Sequence, residues 1–331
     1  MATPRFARLP VEMRTHVSDF VDRAFAYAKA PFEKDDDPPE TVFHYTNSQG
    51  LEKILLNGTM WLSDVQSMND RSEIVHGMRK ATRMLQSRAG TKLHRRWFAK
   101  RYAKHVEDAR TGQNFHVACL TSKGDDLSQW RGYGDNGYGF AIGFDGPALV
   151  GALKKQWGSR AYVRALALKY IDQELEDRVL PLAEMAMDYL DGVEALSRGD
   201  RRSGIVAGVE MLTQLMVDLM LMATQHKHWE FRYEEEFRLM AMFSSDSSID
   251  HGFKVRMRGG IPVNYSDLTW ATTGTTFPLK GIIAGPSNNI DDEHKREVRQ
   301  YMRWCRKQFL EKFKARGKVE LKLSEIPYTA G

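Results

Sequence analysis

The stretch Lys227–Arg238, KHWEFRYEEEFR, sets three consecutive carboxylates, Glu234, Glu235 and Glu236, between Tyr233 and Phe237. Apolar and polar residues alternate from Phe231 to Met242, the period of a strand rather than a helix. On a strand, Glu234 and Glu236 share one face and Glu235 takes the other. Two carboxylates side by side repel. A fold keeps them where it needs negative charge, for a sugar hydroxyl, a developing cation or a metal; otherwise they form the solvated acidic face of an edge strand. The rest of the chain has to choose between these.

The chain has 331 residues, 42% hydrophobic and 27% charged, enough for one large domain or two small ones with a real core. No N-terminal apolar run resembles a signal peptide. The most apolar stretch, Ile205–Ala223, contains Glu210, Gln214 and Asp218 and is expected to be a buried helix, not a membrane span. Cys119 and Cys305 lie far apart with no metal spacing, which points to a reduced, cytoplasmic protein without structural zinc.

The net charge of +5 hides strong patterning. Arg79–Arg110 carries eleven Lys/Arg against Glu107 and Asp108, and Lys295–Lys322 carries eleven against Glu297, Glu311 and Glu320. The remainder of the chain is acidic. The two basic stretches are either solvated helix faces or contacts for a polyanion such as nucleic acid.

Along the chain, residues 1–40 read as an N-terminal helix (Val11–Ala30) and an acidic linker at Asp35-Asp36-Asp37-Pro38-Pro39. Residues 41–331 form the main domain. Strands are expected at Thr41–Tyr45, Thr59–Ser63, Phe115–Ser122, Tyr138–Phe144, Tyr162–Tyr170, Phe253–Arg258, Leu279–Ala284 and Val319–Leu323. A short helix, Gln49–Asn57, closes on Gly58. Helical insertions cover about 72–110 and 171–228, the second split near Gly199-Asp200, and a basic helix covers about 291–316. The Met residues at 211, 216, 220 and 222 read as helical core filler. Strands and helices do not alternate regularly, so the class is α+β. Neither GxGxxG after a strand nor GxxxxGK[ST] occurs, so no Rossmann or P-loop device holds a nucleotide.

Three polar clusters stand out: Phe43-His44-Tyr45-Thr46; Cys119-Leu120-Thr121-Ser122 with Trp130-Arg131-Gly132-Tyr133-Gly134 and Gly137-Tyr138-Gly139-Phe140; and Phe231-x-x-Glu234-x-Glu236-Phe237-Arg238. The ordered pattern HYT…GLxxIL…MND…LTS…SQWRGY…GYGFAIGF…FxxExEFR resembles a bacterial family catalogued as a domain of unknown function and grouped with the ADP-ribosyltransferase-like folds. The resemblance runs from about Val42 to Ile290. It implies a split, twisted β-sheet core that clamps NAD as substrate and transfers ADP-ribose to a nucleic acid or protein acceptor. It implies His44 on the first strand as the ligand of the ribose or nicotinamide side. The middle role stays open between Tyr138, stacking on nicotinamide, and the Thr121-Ser122 pair. Glu236 takes the late carboxylate role, with Glu234 two residues before it. The cofactor side thus draws on His44, Tyr45, Thr46, Ser122, Tyr133, Tyr138 and Arg131. Arg131 and Lys227 are either pyrophosphate contacts or surface charges. A toxin or phage-defence setting, with a neutralising partner protein, follows only by analogy with the family.

The chemistry needs these residue types. Breaking the nicotinamide–ribose bond builds positive charge on the ribose. A carboxylate at the 2′-hydroxyl stabilises that charge more in the transition state than in the ground state. A second carboxylate can orient or deprotonate the acceptor. Trp130 reads as packing, and Arg238 as the partner of an acid on its own sheet face. Two rival readings remain. One is a divalent-metal nuclease using Asp70, Glu73, Glu234 and Glu236. The other is a catalytically inactive transferase-like scaffold that binds nucleic acid or a partner protein.

Overall fold

The computed structural model describes residues 6–30, 37–65, 71–108, 114–243, 252–274, 277–288 and 290–328. Nine α-helices and ten strands are found among them. The strands form one mixed, open, twisted sheet, so the α+β class holds. Asp35 and Asp36 of the expected linker lie outside the described residues.

The strands are β1 (Thr41–Thr46), β2 (Thr59–Asp64), β3 (Asn114–Thr121), β4 (Phe140–Asp145), β5 (Ala161–Ala167), β6 (Glu236–Phe243), β7 (Lys254–Arg258), β8 (Ile261–Thr269), β9 (Leu279–Ala284) and β10 (Glu320–Leu323). The order runs β10-β9-β4-β1-β3-β2-β8-β7, with β6 along β3 and β5 along β6. Among the described strands, only β9 and β10 pair in parallel; an isolated bridge, Lys169↔His226, is also parallel. The hairpin strand β8 is an element the sequence pattern does not disclose.

The placing of β3 shapes the site. One edge of β3 pairs with β6 along its whole length, from Asn114↔Phe243 to Thr121↔Glu236. Its other edge is shared. β1 meets it at Phe43↔Thr121, and β2 meets it at Ser63↔Val117 and Asp64↔His116. Between those contacts, at residues 118–120, β1 and β2 part and the sheet opens.

Helices cover both faces. On one lie α1 (Val11–Lys29), α3 (Arg71–Ala89), α4 (Leu93–Asp108), α7 (Asp172–Ser197) and α8 (Arg201–Ala223). Their apolar stripes share a core with Phe115, Val117, Leu166 and Met240 of the sheet. α1 therefore belongs to the same core as the two helical insertions. On the other face lie α2 (Ser48–Asn57), α6 (Gly146–Trp157) and α9 (Asp292–Phe313), sharing a core with Leu120, Ile142, Phe237 and Leu239. Short α5 (Leu127–Gly132) starts on Asp126, whose carboxylate accepts from the Ser128 and Gln129 amides. Neither α5 nor α6 is evident from the glycine-rich sequence around them.

α8 is the one described helix long and apolar enough to cross a membrane, and it lies inside the helical core, with Met211, Met216, Met220 and Met222 buried. The turn at Arg198-Gly199, both at positive φ, separates α7 from α8 near the expected break. Gly58 closes α2 at φ +61°. A Cβ there would meet Phe313 and Ala271 below 3 Å, so this end of α2 requires glycine.

The strand expected from Phe231 starts later. Trp229–Glu234 is a 3-10 turn, Glu235 is left-handed at φ +43°, and extended backbone begins at Glu236. Local alternation misleads here because 3-10 side chains near Glu234 serve tertiary partners rather than a sheet face.

Candidate functional site: a cleft in the split sheet

The opening between β1, β2 and β3 holds a cavity of about 180 Å³. It is lined by His44 and Tyr45 of β1, Trp61 and Ser63 of β2, Cys119 and Thr121 of β3, Gln129 and Tyr133 beside α5, Glu234, Glu236 and Arg258. His44 and Glu236 thus reach one cleft. They do so across the split, since register places Phe43, not His44, on the same sheet face as Thr121 and Glu236. The His44 ring crosses to the open edge of β3, where Nδ1 donates to the Cys119 carbonyl at 3.3 Å. That bond fixes the tautomer and leaves Nε2 with a lone pair. Burial lowers the His44 pKa against the raising effect of this carbonyl bond, so the ring is neutral at pH 7.

The Lys227–Arg238 stretch closes the opposite wall. The left-handed Glu235 turns the chain sharply, which sets Glu234 and Glu236 on one side without a continuous strand. Glu235 leaves in the other direction, to Ser122 Oγ at 2.7 Å and Lys123 Nζ at 3.3 Å. The separation expected from strand alternation is therefore present, produced by a turn. Lys227 sits between the pair, its Nζ 2.7 Å from Glu234 Oε2 and 3.1 Å from Glu236 Oε2. Its side chain is completely buried, so it is not a surface charge. Arg238 Nε donates to Glu236 Oε1 at 2.6 Å, the same-face acid partner that the sequence leads one to expect. Burial pushes the Glu236 carboxyl up, but Arg238 and Lys227 outweigh it and bring its pKa down to about 2. The Tyr170 hydroxyl accepts from the Glu236 amide at 2.8 Å and fixes its backbone.

Glu234 is the more open carboxylate, its side chain 15% exposed against 5% for Glu236. It accepts from the Tyr133 hydroxyl at 3.3 Å, while Thr121 Oγ1 donates to its carbonyl at 2.7 Å. The Cys119 thiol also lines the cleft. Burial, then the Glu236 charge, hold its pKa well above the usual value, so it stays protonated and is no nucleophile.

The other expected residues separate. Tyr45 reaches the cleft, but its hydroxyl donates to the Lys123 carbonyl at 2.9 Å and accepts from the Asp126 amide at 3.2 Å. Its ring meets Trp130, which is wholly buried packing. Thr46 lines a second hollow of about 170 Å³ that shares His44, Trp61 and Ser63 with the first. Ser122 is engaged by Glu235 and lies off the cleft lining. Tyr138 and Arg131 also lie off it; Tyr138 is exposed, and the Arg131 guanidinium stacks 5.0 Å over Tyr328. Of the two candidates for the middle role, Tyr138 lies off the cleft, and of the Thr121-Ser122 pair Thr121 lines it while Ser122 does not; Tyr133 lines it as well.

Gln129, Trp61, Tyr170 and the basic residues Arg256 and Arg258 are not legible in the sequence as site residues. Only the KVRMR alternation of β7 hints at two arginines on one face. Of the metal reading, Asp70 and the Glu73 side chain lie outside the described residues. Among those described, no group of three His, Cys, Asp or Glu side chains is placed to hold a metal ion. A cation bridging Glu234 and Glu236 would have to displace Lys227 from both.

Residues 129–239 match a family described as a protein of unknown function (DUF2971). The match spans Gln129, Tyr133, Lys227, both cleft carboxylates and Arg238; His44 and Trp61 lie before it. No curated protein and no solved structure matches the chain.

Proposed function

We propose that the chain is an NAD-using, ADP-ribosyltransferase-like enzyme whose reaction takes place in the split-sheet cleft. One observation carries this: a neutral His44 and the carboxylates Glu234 and Glu236, far apart in sequence, line one cavity opened by the parting of β1 and β2 from β3. A ligand with a cationic ring and an anionic diphosphate suits a cleft that has carboxylates on one wall and Arg258 on another.

In this reading nicotinamide leaves with the electron pair of its bond to ribose C1′, and C1′ develops positive charge. Glu236, pinned as an anion by Arg238, stabilises that charge through the ribose hydroxyl. His44 supplies a hydrogen-bonding nitrogen to the ribose or amide side. Glu234, the more open carboxylate, faces the acceptor and takes its proton as the acceptor oxygen or nitrogen bonds to C1′. The acceptor is a nucleic acid or a protein side chain. With water in its place the same chemistry is NAD hydrolysis. A cytoplasmic toxin or defence effector with a neutralising partner remains the setting that the family analogy supplies.

The test is labelled NAD incubated with cell lysate and either wild type or Glu236→Gln, with nuclease and protease digestion afterwards to sort the acceptor. Glu236→Gln is expected to cut transfer by roughly 10²–10³-fold. Label appearing equally with both proteins, or with neither, would count against the proposal.

A second reading has one observation in its favour: Lys227 already bridges both carboxylates. This suits a transferase-like scaffold that binds nucleic acid or a partner without catalysis. Thermal stabilisation by NAD separates the two, since a scaffold that does not hold the dinucleotide shows none.

A further inference from the structure

The second hollow differs in charge from the first. Thr46, Lys53, Asn57 and Arg256 line it together with the shared His44 and Trp61, and no Asp or Glu does. Arg256 stands on β7 with its guanidinium 4.8 Å over the Trp61 ring and one Nη donating to Ser63 Oγ at 3.3 Å. Its Nε is buried with no hydrogen-bond partner. A buried donor left unmade is costly, so this group calls for an acceptor. Arg258, two residues along on the same face of β7, lines the first hollow beside it. Among the described residues, no ion pair to a carboxylate is found for Lys53, Arg256 or Arg258. Burial, then the neighbouring Arg258, weigh against the Arg256 charge, and the opposing effect of Tyr265 is smaller, so the pKa of Arg256 is lowered.

The side of α2, from Gly50 in its first turn through Lys53 to Asn57 at its end, forms one wall of the hollow, and Thr46 at the end of β1 adjoins it. A Cβ on Gly50 would lie 1.8 Å from Thr46 Oγ1, so glycine there lets the hydroxyl lie against the helix.

The geometry points to the second hollow as a docking place for the diphosphate of a nucleotide, held by Lys53 and Arg256, with Arg258 on the first hollow beside it. This rests on the transferase reading for the identity of the whole ligand as NAD, while the oxyanion chemistry is carried by these cations alone. Forked guanidinium donors and a lysine ammonium match phosphate oxygens in charge and geometry. A ligand whose diphosphate sits here reaches past His44 and brings its other end to Glu234 and Glu236.

The experiment is calorimetric titration of the full chain with ADP and with inorganic pyrophosphate, comparing wild type with Lys53→Gln, Arg256→Gln and Arg258→Gln. Lys53 and Arg258 are exposed, so their variants test the site even if Arg256→Gln, which removes a stacking partner of Trp61, unfolds. Both ligands are expected to bind wild type and to compete with each other. Each substitution is expected to weaken ADP about tenfold, the effect of removing one charge-assisted hydrogen bond. Equal ADP affinity in wild type and in the Lys53 and Arg258 variants overturns the proposal, as does failure of wild type to bind either ligand. Binding of a single-stranded oligonucleotide in the hollow without ADP binding also overturns it, because the phosphate source is then the acceptor backbone. ADP binding without ADP-ribose transfer leaves this subsite standing while the transferase reading falls. Transfer with an unchanged KM for NAD in the Lys53/Arg258 double variant does the reverse.

Discussion

At the scale of single residues, the cleft depends on charge compensation. Glu236 is buried, yet it is held as an anion because Arg238 and Lys227 both face it. Removing one partner of such a group leaves a buried charge poorly matched. Arg238→Leu is therefore expected to cost about 3–5 kcal/mol of stability, read as the shift in a urea unfolding curve. A loss below ~1 kcal/mol would show that the pair is not buried as described. The depressed pKa of Glu236 has a pH consequence of definite sign. Its stabilisation is present above the ordinary carboxylate range and is lost as pH falls from there through about 2. Glu236→Gln should flatten that acid limb of the stability profile, and an unchanged limb would contradict the assignment. The sequence alone leaves Lys227 as either a phosphate contact or a surface charge. No local pattern reveals that a lysine seven residues before one glutamate and nine before another lies between them.

At the scale of elements, α8 contains a group with the opposite pH behaviour. Asp218 is wholly buried; Gln214 donates to one carboxylate oxygen at 2.8 Å and the other oxygen has no partner. Burial pushes its pKa up to about 8 against the lowering effect of Gln214. A raised folded-state pKa gives stability that is full below the unfolded value and is lost as pH rises through the folded one. Wild type should therefore weaken relative to Asp218→Asn by about 1.4 kcal/mol per pH unit between the ordinary Asp value and about pH 8. Melting temperatures of the two proteins, taken from about pH 5 to about pH 9, measure this, and parallel profiles would refute it. The elements themselves are largely legible in the sequence. α1, α2, α7, α8, α9 and most strands carry their own periodicity and end signals, such as Gly58 after α2. α5 and α6 stay hidden because short, glycine-flanked helices rest on their Asp126 and Asp145 caps and on tertiary packing more than on an apolar stripe. The early half of the expected β6 fails for a related reason: Glu235 adopts a left-handed conformation that no residue-type preference signals.

At the scale of the whole molecule, the two basic stretches receive different surroundings. In the first, Lys80, Arg88, Lys92 and Arg95 pair with Glu176, Glu184 and Asp191 of α7, so part of its charge holds the helical layer together. In the second, Arg296, Arg299 and Arg303 lie exposed along α9, with half-exposed Trp304 beside them and stacked on Tyr301. α9 packs on α2, the helix that carries Lys53 to the second hollow. If the acceptor is a nucleic acid, α9 is the surface placed to receive it. Single-stranded oligonucleotide binding should then fall with salt, and Arg299→Ala with Arg303→Ala should reduce the log–log slope by about 1 for each phosphate that α9 no longer neutralises. A slope unchanged by both substitutions would leave the stretch a solvated helix face.

By itself the sequence determined the kind of fold and a few features that the structure brings to one cleft: an α+β chain with paired carboxylates near its last third, a histidine on its first strand, and a buried α8. These follow from residue type and short-range periodicity, which neighbours in sequence specify. Only the tertiary structure decided that β3 shares one edge between β1 and β2, so that His44 reaches the carboxylates through an opening in the sheet. It also decided that Lys227 lies between Glu234 and Glu236, and that Arg258 lines the cleft while Arg256 lines the adjoining hollow. Those outcomes depend on which distant strands adjoin and where they part, and chain-distant hydrogen bonding and burial set that choice.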